Sequence, residues 1–125
     1  ALPLSCVVDD QMDQRTIACA FLNRLGYQAK AVSSGEEIVD YVKAHPMDLL
    51  LLDMTMDPGI NGRQTYKRIV KFYPEQRAVI ASGYCLTEDA KAAQDLGPGS
   101  YIKKPYTLQT LGKELEGIRP FSKAH

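Results

Sequence analysis

Short apolar runs alternate with segments of helical periodicity along the whole chain. Five runs have the length of β-strands and are bounded by polar or turn-forming residues: 4–8, 28–32, 49–52, 78–81 and 101–103. In the segment after each run, apolar residues recur every three or four positions, which predicts helices over 12–25, 34–45, 62–73, 87–96 and 108–118. Strands that alternate with helices predict right-handed crossovers and a parallel sheet with helices on both faces.

The alternation therefore predicts an α/β fold, a doubly wound (βα)5 flavodoxin-like sandwich. In the five-stranded parallel sheet of such a fold the strand order is 2-1-3-4-5, so the first and third strands are neighbours at the switch point. A chain of 125 residues fits one domain. We assign that domain to residues 1–118 and interpret residues 119–125 as a C-terminal tail.

Local signals mark the predicted helices. The first helix carries apolar residues at helical spacing: Ile17, Phe21 and Leu25, with Ala18 and Leu22 alongside. At the second helix, Ser34 and Glu37 are expected to form a capping box, in which each side chain accepts a hydrogen bond from the backbone of the other.

The most informative stretch is 48–62, in which four consecutive leucines precede Asp53. A leucine run between turn signals is typical of a central parallel strand that is buried on both faces. Asp53 then stands at the carboxyl end of that strand, which is the edge where α/β sheets bind ligands. Asp9 and Asp10 follow the first strand in the same way. Because the first and third strands are neighbours, three carboxylates are expected to meet at this edge.

Such a cluster needs a cation, since each pair of carboxylates repels by a few kcal/mol at the effective dielectric of a protein surface. Hard oxygen ligands suit Mg²⁺, which usually takes one or two carboxylates from a protein. With the repulsion offset, Asp53 becomes a plausible nucleophile towards a phosphoryl group. Ser82 at the end of the fourth strand and Lys104 after the fifth add a hydroxyl donor and an ammonium suited to phosphate oxygens.

This ordered set resembles the signature of response-regulator receiver domains of two-component signalling: Asp9-Asp10, Asp53, Ser82-Gly83, Tyr101 and Lys104-Pro105. The resemblance implies that Asp53 accepts phosphate from the phosphohistidine of a histidine kinase or phosphotransfer domain. It further implies that Asp10, Asp53 and the backbone carbonyl of Thr55 bind Mg²⁺, while Asp9 acts through water. Neither histidine of this chain belongs to the site, so the phosphodonor is expected to come from another domain or protein.

The resemblance also implies a switch formed by Ser82 and Tyr101. A phosphoryl group brings about 1.5 to 2 negative charges, and Ser82 and Lys104 can satisfy them in only one loop arrangement. The hydroxyl is expected to turn towards the phosphate while the tyrosine ring moves inward. This changes the face made by the predicted fourth helix, fifth strand and fifth helix, on which a downstream protein or a second copy of the chain would dock. Lys104-Pro105 is expected to be a cis peptide, as the family has there.

One departure from the family pattern lies in the loop after Asp53. The family usually has proline four residues after the phosphoacceptor, whereas Asp57 intervenes here and Pro58 stands at the fifth position. The extra residue lengthens the loop and adds a carboxylate, but it lies beyond the expected metal ligands. The Asp-Pro-Gly sequence at 57–59 and the sequence at 65–68 look most like those of receivers attached to hybrid sensor histidine kinases.

Composition limits the partners and the cellular location that we expect for this chain. Fifteen basic and fifteen acidic side chains cancel, so the overall charge predicts neither nucleic acid nor an anionic membrane as a direct partner. The three cysteines are widely spaced and indicate reduced thiols. Without a signal-peptide pattern or an apolar run of membrane-span length, the expected location is cytoplasmic. The chain begins at Ala1 almost directly in a strand, which suggests a piece cut from a longer polypeptide.

The leading hypothesis is a signalling phosphoacceptor rather than a turnover enzyme. A receiver fold kept purely for docking is one alternative. A phosphatase of the haloacid dehalogenase type would need an aspartate two residues after the nucleophile, where Thr55 stands. A flavodoxin-like cofactor binder would need a phosphate-cradling loop after the first strand, where Asp9 and Asp10 would instead repel phosphate.

Overall fold

The computed structural model describes residues 2–83 and 99–117. Its strands are β1 (Leu4–Val8), β2 (Gln28–Val32), β3 (Leu49–Asp53), β4 (Ala78–Ser82) and β5 (Gly99–Lys103). Its helices are α1 (Met12–Arg24), α2 (Gly35–Ala44), α3 (Gly62–Val70) and α4 (Leu108–Gly117). Here α4 is the last of the predicted helices, because the helix predicted at 87–96 lies outside the described residues, as does the predicted tail at 119–125.

All five strands pair in parallel in the order β2-β1-β3-β4-β5, which confirms the predicted topology. The register aligns the carboxyl ends of the strands. Val8 of β1 faces Leu52 of β3, and Asp53 faces Ala81 of β4. The residues that follow β1 and β3 therefore start from neighbouring points on one edge of the sheet.

The sheet is covered on both faces, as the leucine run predicts. Leu50 and Leu52 pack against α2 and α3, whereas Leu49 and Leu51 pack against α1 and α4, and all four are at most 2% exposed. Successive side chains of a strand point to opposite faces, so a strand in the middle of two helical layers needs an apolar residue at every position.

The structure divides the apolar residues of α1 into buried and exposed positions, and it corrects one local expectation at α2. Ile17 is 47% exposed, and Ala18 and Leu22 are the α1 residues buried against the sheet. In α2, the Ser34 hydroxyl accepts from the Glu37 N–H as expected, but the Glu37 carboxylate accepts from the backbone N–H and hydroxyl of Ser33 rather than from Ser34.

A full capping box occurs instead at α3, where Asn61 and Gln64 each accept a hydrogen bond from the backbone of the other. It fixes the start of the helix that follows the loop after Asp53. Among the residues described, no helix has the length and apolar character needed to cross a membrane.

Candidate functional site: an acidic cluster at the end of the sheet

Three carboxylates meet at the carboxyl ends of β1 and β3. Asp9 and Asp10 follow β1 directly, Asp53 ends β3, and one carboxylate oxygen from each lies within 4.8 Å of the others. Asp9 and Asp53 are buried, 6% and 9% exposed respectively, whereas Asp10 is exposed. The structure thus brings together the three acidic residues that the sequence predicts, with two at the base of the site and one at its mouth.

Asp9 is held by hydrogen bonds on both its backbone and its side chain. Its Oδ1 accepts the Gln11 N–H at 2.9 Å, its backbone N–H donates to the Val32 carbonyl at 3.3 Å, and its carbonyl accepts from Arg15 Nη1 at 2.8 Å. These contacts come from β2 and α1 as well as from the loop itself. The carboxylate of Asp9 therefore has a fixed position before any ligand binds.

Lys104 lies between the two buried carboxylates. Its Nζ is 3.3 Å from Asp53 Oδ1 and 3.5 Å from Asp9 Oδ2. A single ammonium faces both acids, so it offsets only part of their charge. The Lys104-Pro105 peptide bond that follows is cis in the structure.

The pKa of Asp53 reflects its burial and this incomplete compensation. Burial, followed by repulsion from Asp9, raises the pKa of Asp53 from 3.8 to about 6, while Lys104 and a hydrogen bond from the backbone of Thr55 act in the opposite direction. The charged form is thus disfavoured by desolvation and by a like charge, the two effects that a bound cation would relieve.

The donor set fits a hard divalent cation. With all groups ionised, three carboxylates and one ammonium leave two negative charges at the site. Carboxylate oxygens at this separation are the ligands that Mg²⁺ prefers. Thr55, whose carbonyl is the remaining expected protein ligand, lies exposed two residues after Asp53.

Ser82 and Tyr101 occupy different places relative to the cluster. Ser82 is the buried last residue of β4, and its carbonyl accepts the Lys104 N–H at 2.7 Å, so it adjoins the lysine. Tyr101 pairs with Ile80 earlier in β5 and packs, half-buried, against the core formed with α2 and α3. The structure therefore groups Ser82 with Lys104 and places Tyr101 on the α2–α3 side of the sheet.

Sequence reasoning missed two residues of this region, Arg15 and Tyr106. The bond from Arg15 to the Asp9 carbonyl has no local sequence signal. Tyr106 packs edge-on against Phe21 with ring centroids 6.1 Å apart, and burial together with the charges of Asp9 and Asp53 raises its pKa to about 12. The position of Tyr106 directly after Lys104-Pro105 could have indicated that this residue lies near the site. The sequence does not indicate that its ring packs against Phe21.

Comparison with known proteins places these features in a family. Residues 6–116 match the response regulator receiver domain. The chain is 33% identical over 109 residues to the autoinducer 1 sensor kinase/phosphatase LuxN of Vibrio campbellii, covering 87% of this chain and 13% of LuxN. It is 29% identical over 114 residues to sporulation initiation phosphotransferase F of Bacillus subtilis, covering 91% of each. A CheY-like receiver structure from Methanospirillum hungatei superposes with a TM-score of 0.84 at 21% identity, covering 93% of this chain and 92% of that one.

Proposed function

Because the chain belongs to the response regulator receiver domain family of two-component signalling, we propose that Asp53 is its phosphoacceptor. The observation that carries the assignment is the cluster of Asp9, Asp10 and Asp53 with Lys104 between the two buried acids. Of the three acids, Asp53 is the one that a central strand holds rigidly. In this family a histidine kinase or phosphotransfer partner supplies the phosphoryl group, and we expect the same for this chain.

In the proposed reaction an Asp53 carboxylate oxygen attacks the phosphorus, and the bond from phosphorus to the partner's histidine nitrogen breaks. Asp10, Asp53 and the Thr55 carbonyl would hold Mg²⁺ directly and Asp9 would hold it through water; when bound, the ion would offset negative charge at the site. Asp53 must be ionised to attack, and with a pKa of about 6 most of it is ionised at pH 7. Lys104 then contributes a second positive charge to the phosphoryl oxygens.

Ser82 and Tyr101 form the proposed switch. Ser82 adjoins Lys104 at the neighbouring strand end through its backbone carbonyl, and we expect its hydroxyl to donate to a phosphate on Asp53. Tyr101 lies one strand further out, on the α2–α3 side of the sheet. A phosphate that draws Ser82 inward would alter the surface around β5 and α4. That surface, together with the helix predicted at 87–96, is the proposed docking face for a downstream protein or a phosphorylation-dependent dimer.

The chain acts as a receiver in a signalling family rather than as a classical enzyme. We assign it to the cytoplasm, where histidine kinases present their phosphohistidine. The likeness to LuxN, which is named as a sensor kinase/phosphatase and is far longer than this chain, supports attachment to a hybrid kinase. We keep residues 1–118 as the proposed receiver unit and 119–125 as its tail.

Incubation with acetyl phosphate tests the phosphoacceptor. Intact mass should show one added phosphoryl group in the presence of Mg²⁺ and none in EDTA, and hydroxylamine should remove it. Asp53→Asn should abolish labelling, because the amide keeps the shape but loses the nucleophilic oxygen. Asp57→Asn is the matched control, since Asp57 is an exposed carboxylate in the loop that follows Asp53. Equal labelling of Asp53→Asn and wild type would refute the assignment, whereas a chain labelled by no phosphodonor, kinase included, would be a docking module.

A further inference from the structure

The β3–α3 loop, residues 54–61, is closed at its base beside Asp53. The Gly62 N–H donates to the Met54 carbonyl at 2.9 Å. Gly62 lies so close to the strand end that a Cβ there would be 2.6 Å from the Asp53 carbonyl oxygen. The base of the loop is therefore fixed, while its tip, residues 57–59, is exposed.

Glu36 of α2 holds the loop just beyond that tip. Its Oε2 accepts the Ile60 N–H at 3.1 Å. Gly59 has a φ of +118°, and a Cβ at this position would lie 2.9 Å from Glu36 Oε1, so the loop backbone runs directly against the carboxylate. Gly35 is equally close, since a Cβ there would be 2.7 Å from Ile60 Cγ1. The first turn of α2 and the end of the loop thus form one tight contact.

The neighbouring carboxylate, that of Glu37, contacts a different segment of the chain. Glu37 accepts hydrogen bonds from the backbone and hydroxyl of Ser33, and so holds the segment before α2. Glu36 and Glu37 both lie in the first turn of the helix, where the helix dipole favours a negative charge. The two carboxylates therefore lie in the same helical turn and carry the same charge, but they accept hydrogen bonds from different backbone segments.

We propose that Glu36 is a positioning residue for the phosphoryl site. By holding Ile60 it fixes the far end of the β3–α3 loop, and so contributes to the position of the Thr55 carbonyl to which the proposed function assigns Mg²⁺. The inference rests on that proposed function for the identity of the ion. Among the described residues, the carboxylates close enough to share a metal ion are Asp9, Asp10 and Asp53. Glu36 is outside that group and acts through the geometry of the loop rather than as a ligand.

The physical reason is that a loop released from Ile60 samples more conformations. Binding of Mg²⁺ must then order the backbone at Thr55, and this loss of conformational entropy opposes binding. Removing a group that orients a metal ligand typically weakens metal affinity by about 10- to 100-fold. Since Glu36 acts across several residues of loop, we expect the lower end of that range.

The test is a Mg²⁺ titration of the full chain by isothermal titration calorimetry. Glu36→Ala should weaken Mg²⁺ affinity by about tenfold. Glu36→Gln keeps an oxygen acceptor for Ile60 and should stay within about twofold of wild type. Glu37→Ala is the matched control: it loses the bonds to Ser33 and lowers Tm, but should leave Mg²⁺ affinity unchanged. Amide hydrogen exchange at Ile60, measured without metal, should be faster in Glu36→Ala than in the other three proteins.

Three results would overturn the positioning role: Glu36→Ala that binds Mg²⁺ like wild type, Glu36→Gln as weak as Glu36→Ala, or Glu37→Ala as weak as Glu36→Ala. Any of them leaves the proposed function intact if the wild type binds Mg²⁺ and is phosphorylated on Asp53. A wild type that neither binds Mg²⁺ nor is labelled contradicts the proposed function itself, so the two failures are distinguishable.

Discussion

Replacing Asp53 by Asn should make the metal-free protein more stable at neutral pH. Burial and Asp9 raise the pKa of Asp53 from 3.8 to about 6. At 1.36 kcal/mol per pKa unit, this gap corresponds to a cost of about 3 kcal/mol for holding the charged side chain in the folded state. Asparagine carries no charge but its amide must still be buried, so we expect a gain of about 1–3 kcal/mol in the free energy of unfolding.

The pH dependence follows from the direction of the pKa change. A folded pKa above the unfolded value means that the folded state binds more protons between pH 3.8 and about 6. The contribution of Asp53 to stability therefore falls as pH rises through that window and is constant above it. Asp53→Asn lacks this fall, so its advantage over wild type should be largest at pH 7 and should shrink towards pH 4.

Urea unfolding followed by circular dichroism at pH 4.5 and pH 7, in EDTA, measures both effects. Asp57→Asn serves as control and should change stability by less than about 0.5 kcal/mol, because Asp57 is exposed. Saturating Mg²⁺ should stabilise the wild type, by about 2.7 kcal/mol at 100 times the Kd, and Asp53→Asn much less. An Asp53→Asn variant no more stable than wild type at pH 7, or a difference that does not vary with pH, would refute this reasoning.

Two further substitutions separate the site from the scaffold. Lys104→Met should lower Mg²⁺-dependent labelling by acetyl phosphate about 100-fold, since it removes the ammonium 3.3 Å from Asp53 Oδ1; labelling at the wild-type rate would contradict its role. Tyr66→Phe should lower the free energy of unfolding by about 1–2 kcal/mol and leave labelling unchanged, because the buried Tyr66 hydroxyl donates to the Gln76 carbonyl at 3.0 Å, at the opposite end of the sheet. Urea unfolding and intact mass measure the two effects, and a loss of labelling in Tyr66→Phe would argue against their separation.

The fold and the acidic cluster were predictable because they depend on strand ends. The leucine run identifies β3 as the central strand, and a parallel sheet aligns the ends of its strands, so Asp9, Asp10 and Asp53 had to meet once the strand order was known. Packing of side chains was less predictable. Ile17 and Ala18 are adjacent on a helix whose face towards the sheet periodicity defines only to within one residue, and the structure buries the smaller one.

Contacts between segments far apart in the chain were beyond sequence reasoning. Glu36 and Ile60 are 24 residues apart, and their bond exists only because α2 and α3 pack side by side on one face of the sheet. The pKa of Asp53 was unpredictable for a related reason. The direction in which the pKa shifts depends on whether burial and Asp9 outweigh Lys104. Both the burial of Asp53 and its distance to Lys104 are set by the folded structure.

The charge balance at the site supports the proposal that phosphorylation acts as a switch. Before phosphorylation, Lys104 is already shared between Asp9 and Asp53, and burial together with the charge of Asp9 keeps the pKa of Asp53 raised despite this ammonium. A phosphoryl group places about 1.5 to 2 negative charges where one stood. The fold therefore has no unused positive charge at Lys104 to meet the increase. In the proposed switch a further donor comes from Ser82, whose carbonyl already accepts the Lys104 N–H at the adjacent strand end.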